Sequence, residues 1–280
     1  MESIGVFIQP PRKCDLFGIG VTATNYDELV DWCVERALAD EGGIVDLTPV
    51  HGLMLAARNP GDYGAKMNAF DVLAPDGQPV RWALNFFHKS NLADRVYGPE
   101  FTLRCCDAAA RRGVPIYLYG SSPAVIEKLS HNLLERFPDL KIAGQESPPY
   151  RALTPEENAA AIDRINASGA KLLFLGIGCP KQEEFAFAHR KSIKAVQLCV
   201  GAAFDFHAGV KRMAPKWMQK RGLEWLYRLL SEPRRLWKRY FMTNTLFILY
   251  FLREWFVGSR PVPPSRARID ELDAVPFNEP

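Results

Sequence analysis

The sequence predicts an α/β fold: a parallel sheet flanked by helices, with a basic helical appendage at its C-terminal end. Three observations predict it. Short apolar runs recur through the first 208 residues, and stretches with helical spacing separate them, the pattern of β-α-β units. Three of those runs end in small-residue exits, Gly120-Ser121-Ser122, Gly176-Ile177-Gly178 and Gly201-Ala202-Ala203, which suit the carboxyl edge of a parallel sheet. Beyond residue 208 the composition turns to interleaved basic and aromatic residues.

Each element has its own warrant. Residues 16–24 read as a buried strand, and Asn25 with Glu28 has the form of a capping box opening a helix to about residue 39. Residues 42–50 form a second strand ending in a proline turn; 51–60 form a short helix closed by Asn59-Pro60-Gly61. The strand at 69–77 delivers Pro75-Asp76-Gly77 to a loop, and a helix within 96–112 ends at Gly113. After the strand at 114–122, Val125, Leu129, Leu133 and Leu134 keep close to helical spacing. A brief strand at 141–144, a helix at 154–167, a strand, turn and helix across 171–185 and a strand ending near Gly201 complete the sheet. The predicted division is an α/β catalytic domain over 1–208, a helical appendage over 209–256 and a flexible Pro-rich tail over 257–280.

Composition excludes several classes. At 48% hydrophobic and 24% charged residues, the 280-residue chain is no disordered polymer. Its net charge of +3 conceals a division. Residues 209–260 hold twelve basic and three acidic side chains, +9, which leaves −6 for the rest. The six cysteines form no C-x-x-C pair, so reduced thiols are expected. No 18 consecutive residues are apolar, and the first 14 lack a long apolar core, so neither a conventional span nor a secretory signal is expected. H-x-x-x-H, D-x-D, G-x-G-x-x-G, the Walker lysine pattern and G-x-S-x-G are missing. No metal site, dinucleotide fingerprint or hydrolase elbow is therefore expected.

Candidate chemistry falls in three places. Asp76 sits between Pro75 and Gly77, where it can serve as a turn residue or as a carboxylate base at the sheet edge. Gly176, Gly178, Lys181 and Gln182 surround a strand-to-helix turn that can receive a phosphate, although prolines and glycines there are also ordinary helix grammar. Gly120 and Gly201 exit neighbouring strands, and three such exits would line one crevice suited to a nucleoside diphosphate. The basic segment admits core helices through Leu223, Leu226, Leu229 and Leu230, an anionic membrane surface, or nucleic acid. The membrane surface fits best and nucleic acid is not the expected partner. Residues 241–252 are strongly apolar yet too short to span, and Trp and Tyr flank them.

These motifs together resemble the WecG/TagA/CpsF glycosyltransferases, glycosyltransferase family 26. The matching words are Thr48-Pro49, APDGQPV at 74–80, RVYGPE at 95–100, IYLYGSS at 116–122, FLGIGCPKQE at 174–183, VGAAFDFHAG at 200–209, RMAPKW at 212–217, GLEWLYRL at 222–229 and EPRRLWKRY at 232–240. The resemblance implies a Rossmann-like, inverting, metal-independent enzyme without a cofactor. Such an enzyme moves a sugar from a UDP donor to a saccharide on undecaprenyl diphosphate, at the cytoplasmic face of the membrane, in surface or extracellular polysaccharide synthesis. N-acetylmannosamine or its uronic acid is the implied sugar, with glucose as the alternative. By similarity Asp76 matches the proposed catalytic base and Arg95 a pocket arginine that balances diphosphate charge. Thr48 and Gln182 match positions lining the nucleotide-sugar pocket. Arg212, Arg228 and Arg235 are the appendage arginines expected to neutralise a diphosphate. The sequence departs from the family in one place. Many relatives carry T-x-N where this chain has Thr48-Pro49-Val50, and His51 partly replaces the missing asparagine. A homo-oligomer is compatible with this reading.

Overall fold

The computed structural model describes residues 10–258. The predicted parallel sheet is present, flanked by helices. Its six strands are β3 (Gly43–Thr48), β4 (Val72–Pro75), β5 (Ile116–Gly120), β6 (Ile142–Glu146), β7 (Leu172–Gly176) and β8 (Val196–Cys199), in the spatial order β4-β3-β8-β7-β5-β6. All neighbours are parallel, so every strand ends at the same edge. The order reverses where β3 meets β8, the place where open α/β sheets leave a crevice.

Strand alternation divides the core between the two faces. Val45, Leu47, Phe174, Leu198 and Leu118 point to one face, which is covered by α1 (Tyr26–Leu38), α5 (Gly98–Arg112), α6 (Pro123–Arg136) and α9 (Ala203–His207). Ile44, Leu73, Leu173, Leu175 and Tyr119 point to the other. There α2 (Val50–Arg58), α3 (Tyr63–Asn68), α4 (Gln78–His88), α7 (Pro155–Ala167) and α8 (Lys181–Ala188) cover them. Asp46 lies in the interior of β3 with the parity of Ile44, between Leu73 and Cys199 of the neighbouring strands.

Several elements differ from the sequence reading. The run at 16–24 is not one strand but an antiparallel hairpin, β1 (Lys13–Leu16) and β2 (Ile19–Thr22). Phe17 and Gly18 both take positive φ, 62° and 86°, the geometry of a tight two-residue turn. Asn25 caps α1 through its side chain, accepting from Asp27 N and Glu28 N, whereas Glu28 turns to the Thr24 hydroxyl. The reciprocal capping box occurs instead at Thr154 and Glu157 of α7.

The appendage holds α10 (Lys216–Lys220), α11 (Glu224–Ser231) and α12 (Pro233–Val257). The leucine stripe of α11 does not face the core. Leu223, Leu226 and Leu229 are half-buried, Leu230 is exposed, and the one buried residue of α11 is Glu224. An ionic contact orients this helix, as described below. α12 packs on α2 and α11 and enters the core through Phe247. Near its far end Glu254 accepts the Phe17 N–H of the hairpin turn at 3.2 Å. The predicted tail at 257–280 lies outside the described residues beyond Gly258.

Candidate active site

The carboxyl edge near the β3–β8 switch carries two clusters of charged groups. The first surrounds Asp76, placed by β4 and held to β3 through its N–H, which donates to Thr48 O at 3.1 Å. Arg95, on the segment leading into α5, brings Nη1 to 3.7 Å from Asp76 Oδ1. Its Nη2 donates to Glu224 Oε2, and Arg228 Nη2 holds Glu224 Oε1 at 2.7 Å. Both arginines lie over rings, Arg95 at 4.2 Å from the Tyr97 centroid and Arg228 at 5.1 Å from that of Phe206. Two guanidiniums and two carboxylates thus compensate one another in a setting with little water.

Burial decides the proton affinity of Asp76. Desolvation raises its pKa to about 6, with Glu224 adding to the rise; Arg95, Arg228 and the Gly98 N–H work against it. Burial also disfavours the Glu224 carboxylate, but Arg228 and Arg95 outweigh it and hold its pKa below the usual value. Asp76 is accordingly the member of the quartet able to exchange a proton near neutral pH.

The second cluster lies under the turn after β7. Gln182 and Glu183 stand in the first turn of α8, both buried, facing Asp46 and Thr48 of β3. Thr48 Oγ1 donates to Asp46 Oδ2 at 2.6 Å, and Gln182 Nε2 donates to Glu183 Oε1 at 2.9 Å. Asp46 Oδ1 and Glu183 Oε2 receive no N–H or hydroxyl donor. The two carboxyls hydrogen-bond to each other, and desolvation followed by mutual repulsion pushes the Asp46 pKa well above the carboxylate range. Burial raises that of Glu183 as well. A proton shared between the two satisfies both orphaned oxygens. Thr48 spends its one donor on Asp46 and is left to act as an acceptor, whereas Gln182 uses one of its two amide N–H groups on Glu183 and keeps its oxygen as an acceptor. Gln182 Oε1 is buried and unpartnered.

The remaining predicted residues divide. Gly120 and Gly176 pair across β5 and β7. A Cβ on Gly120 would stand 2.5 Å from the Gly176 backbone, and one on Gly176 would stand 2.5 Å from the Phe204 ring, so close packing is what they supply. Gly178, at φ 88°, faces open space, and Gly201 lies against the Gln182 amide. Lys181 is exposed at the start of α8. His51 sits in the first turn of α2 with a buried, unpartnered Nδ1. Burial and Arg239 of α12 lower its pKa to about 4, which makes it a neutral imidazole at the α2–α12 seam. Of the appendage arginines, Arg228 joins the Asp76 cluster. Arg212 is exposed, and Arg235 pairs with Glu232 at 2.5 Å, outside both clusters.

Sequence reasoning missed Asp46, Glu183 and Glu224. The signal for Asp46 was a charge inside the otherwise apolar run GIVDLT; for Glu224 it was an acid among twelve bases. Among the described residues, no three His, Cys, Asp or Glu side chains converge as a metal site, and no helix is long and apolar enough to cross a membrane.

Comparison with protein families decides which family the chain belongs to. The model of the Glycosyl transferase WecG/TagA/CpsF family matches residues 14–261, which include the whole sheet, both clusters and the appendage. The chain belongs to the WecG/TagA/CpsF glycosyltransferase family. As a WecG/TagA/CpsF protein it is a glycosyltransferase of cell-wall polysaccharide synthesis.

Proposed function

We propose that the chain is an inverting transferase that moves a sugar from a UDP donor to a saccharide on undecaprenyl diphosphate. Asp76 is the base. An acceptor hydroxyl gives its proton to the Asp76 carboxylate as its oxygen bonds to the anomeric carbon. The bond from that carbon to the diphosphate breaks on the opposite face, and UDP leaves. Arg228, Arg212 and Arg235 supply positive charge to the diphosphates, so the reaction runs without a metal or cofactor. Arg95 serves chiefly through its bonds within the quartet. Thr48 and Gln182, as acceptors, bind N–H or O–H groups of the donor, while Gly178 and Lys181 approach its phosphates and Gly201 seats Gln182.

The observation that carries this reading is the buried Asp76 carboxylate at the sheet edge, its pKa pushed up to about 6 by burial, with Arg95 of the sheet side and Glu224 and Arg228 of the appendage around it. Trp237, Phe241, Ile248, Leu252 and Trp255 of α12 are exposed, and this apolar face supports a peripheral position on the anionic, cytoplasmic membrane face, where the lipid-linked acceptor resides. N-acetylmannosamine or its uronic acid is the proposed sugar. UDP-glucose is the second reading, because Val50 and His51 stand where an amide would read a sugar substituent.

A panel of UDP-sugars with a synthetic lipid-diphosphate-sugar acceptor tests it, with the product linkage read by NMR. One donor is expected to react with inversion, and Asp76→Asn is expected to lower turnover by about 10²–10⁴-fold without altering the circular dichroism spectrum. Near-normal turnover in Asp76→Asn would remove Asp76 from the base role.

A further inference from the structure

Asp76 and Arg95 come from the sheet domain; Glu224 comes from the appendage. Its side chain is 9% exposed, and each of its oxygens holds an arginine, Oε2 taking Arg95 Nη2 and Oε1 taking Arg228 Nη2 at 2.7 Å. Asp76, 19% exposed, has Arg95 Nη1 only at 3.7 Å. Arg95 therefore makes its short bond to Glu224, although a second carboxylate stands within reach. That choice has a chemical consequence. A carboxylate clasped by a guanidinium in two short hydrogen bonds has its lone pairs occupied and its proton affinity reduced.

We propose that Glu224 is a positioning residue for sugar transfer, which holds Arg95 and Arg228 off Asp76 and leaves that carboxylate free to accept a proton. The proposal rests on the reading of Asp76 as the base. The groups that face Asp76 are Arg95 and the Gly98 N–H at the entry to α5, Glu224 and Arg228 of α11, Asp46 of β3, Tyr97, and Tyr26 of α1. Among the groups that act on Asp76, Glu224 is the negative charge that also binds both arginines. Without it the quartet becomes a triad of net charge +1. Arg95 then has no competitor for its Nη2, and its fork can close on Asp76. Loss of the repulsion and gain of the ion pair act in the same direction, toward a weaker base.

The test uses the full chain with Glu224→Gln, Glu224→Asp and Arg228→Gln, and takes two readouts. One is the 13C NMR titration of the Asp76 carboxyl, assigned by its disappearance in Asp76→Asn. The other is the pH profile of kcat/KM for transfer. In Glu224→Gln both the titration and the acid limb are expected to move down by about one pH unit, with kcat falling roughly tenfold more than KM changes. Glu224→Asp, which keeps the charge, is expected to return the limb toward the wild-type position. Arg228→Gln, which removes a positive charge from the same quartet, is expected to move the limb upward, and it carries the test if Glu224→Gln does not fold. An Asp76 titration that stays in place in Glu224→Gln, or in Arg228→Gln if the first does not fold, overturns the proposal, whatever happens to activity, and leaves Glu224 a packing residue. A wild-type chain whose Asp76 titrates as described but that transfers no sugar overturns the functional reading instead.

Discussion

Asp76 keeps its proton up to about pH 6 because burial outweighs the pull of Arg95 and Arg228. In its proposed role as base Asp76 must be ionised to act, so kcat/KM is expected to rise about tenfold per pH unit below that value and to level off above it; a pH–rate profile reads this directly. The Asp46–Glu183 pair has a different consequence, in stability. Both folded carboxyls hold protons more tightly than their unfolded counterparts. The pair therefore contributes stability below the ordinary carboxyl range and loses it as pH rises through the raised values. Glu183→Gln removes one of the two ionisations. Its stability relative to wild type is expected to improve as pH rises from the ordinary carboxyl range through the raised values, read from thermal melts across that range. Asp76 was legible in the sequence because Pro75-Asp76-Gly77 follows a strand. Asp46 and Glu183 were not, because each is an unremarked acid until folding sets β3 against α8.

At the scale of elements, α12 has two distinct faces. Leu236, Thr243, Phe247 and Glu254 face inward. Trp237, Phe241, Ile248, Leu252 and Trp255 are exposed, and at 100° per residue they fall within about 60° of one another. Phe86 of α4 meets Phe251 and Trp255 at 5.2 and 6.0 Å, so the apolar face continues onto α4. Phe241→Ser and Ile248→Ser are each expected to weaken binding to anionic vesicles by about tenfold without changing Tm, as vesicle sedimentation and melting would show. Unaltered sedimentation in the double variant would refute the role of this face. These exposed aromatics also explain why α4 escaped the sequence reading. Val80, Ala83 and Leu84 have helical spacing, but Trp82 and Phe86 lie outward and blur the amphipathic pattern. The α11 stripe misled for the opposite reason: the leucines have the right spacing, yet the ion pairs of Glu224 set which side turns inward.

Over the whole molecule the two halves of the charge distribution meet at one seam. Lys211 joins Asp205 of α9 at 2.8 Å to Glu232 at the head of α12 at 3.9 Å, and Arg235 holds Glu232. The surplus of basic residues beyond these pairs faces outward on Arg234, Lys238 and Arg253. Binding to anionic vesicles is expected to fall by about an order of magnitude between roughly 50 and 300 mM salt, with little binding to zwitterionic vesicles at either. Salt-independent binding would count against an electrostatic share. The sheet, its edge and the appendage were legible at this scale because strand alternation and charge segregation are periodic or regional signals. The placement of Glu224 beside Asp76 was not, since it depends on how the appendage folds back over chain far removed in sequence.

That fold-back has a temporal side. Chains leave the ribosome from the N-terminus, and β3 is synthesised long before its neighbour β8. Until β8 appears, β3 has only β4 beside it, and until α11 appears Arg95 has no Glu224. α12 then ties itself to the turn between β1 and β2 through Glu254 and the Phe17 N–H. A nascent or prematurely terminated chain can therefore own every strand of the sheet and still lack the complete charge quartet. Order of synthesis thus places the completion of the Arg95–Glu224–Arg228 contacts after the whole sheet has been made.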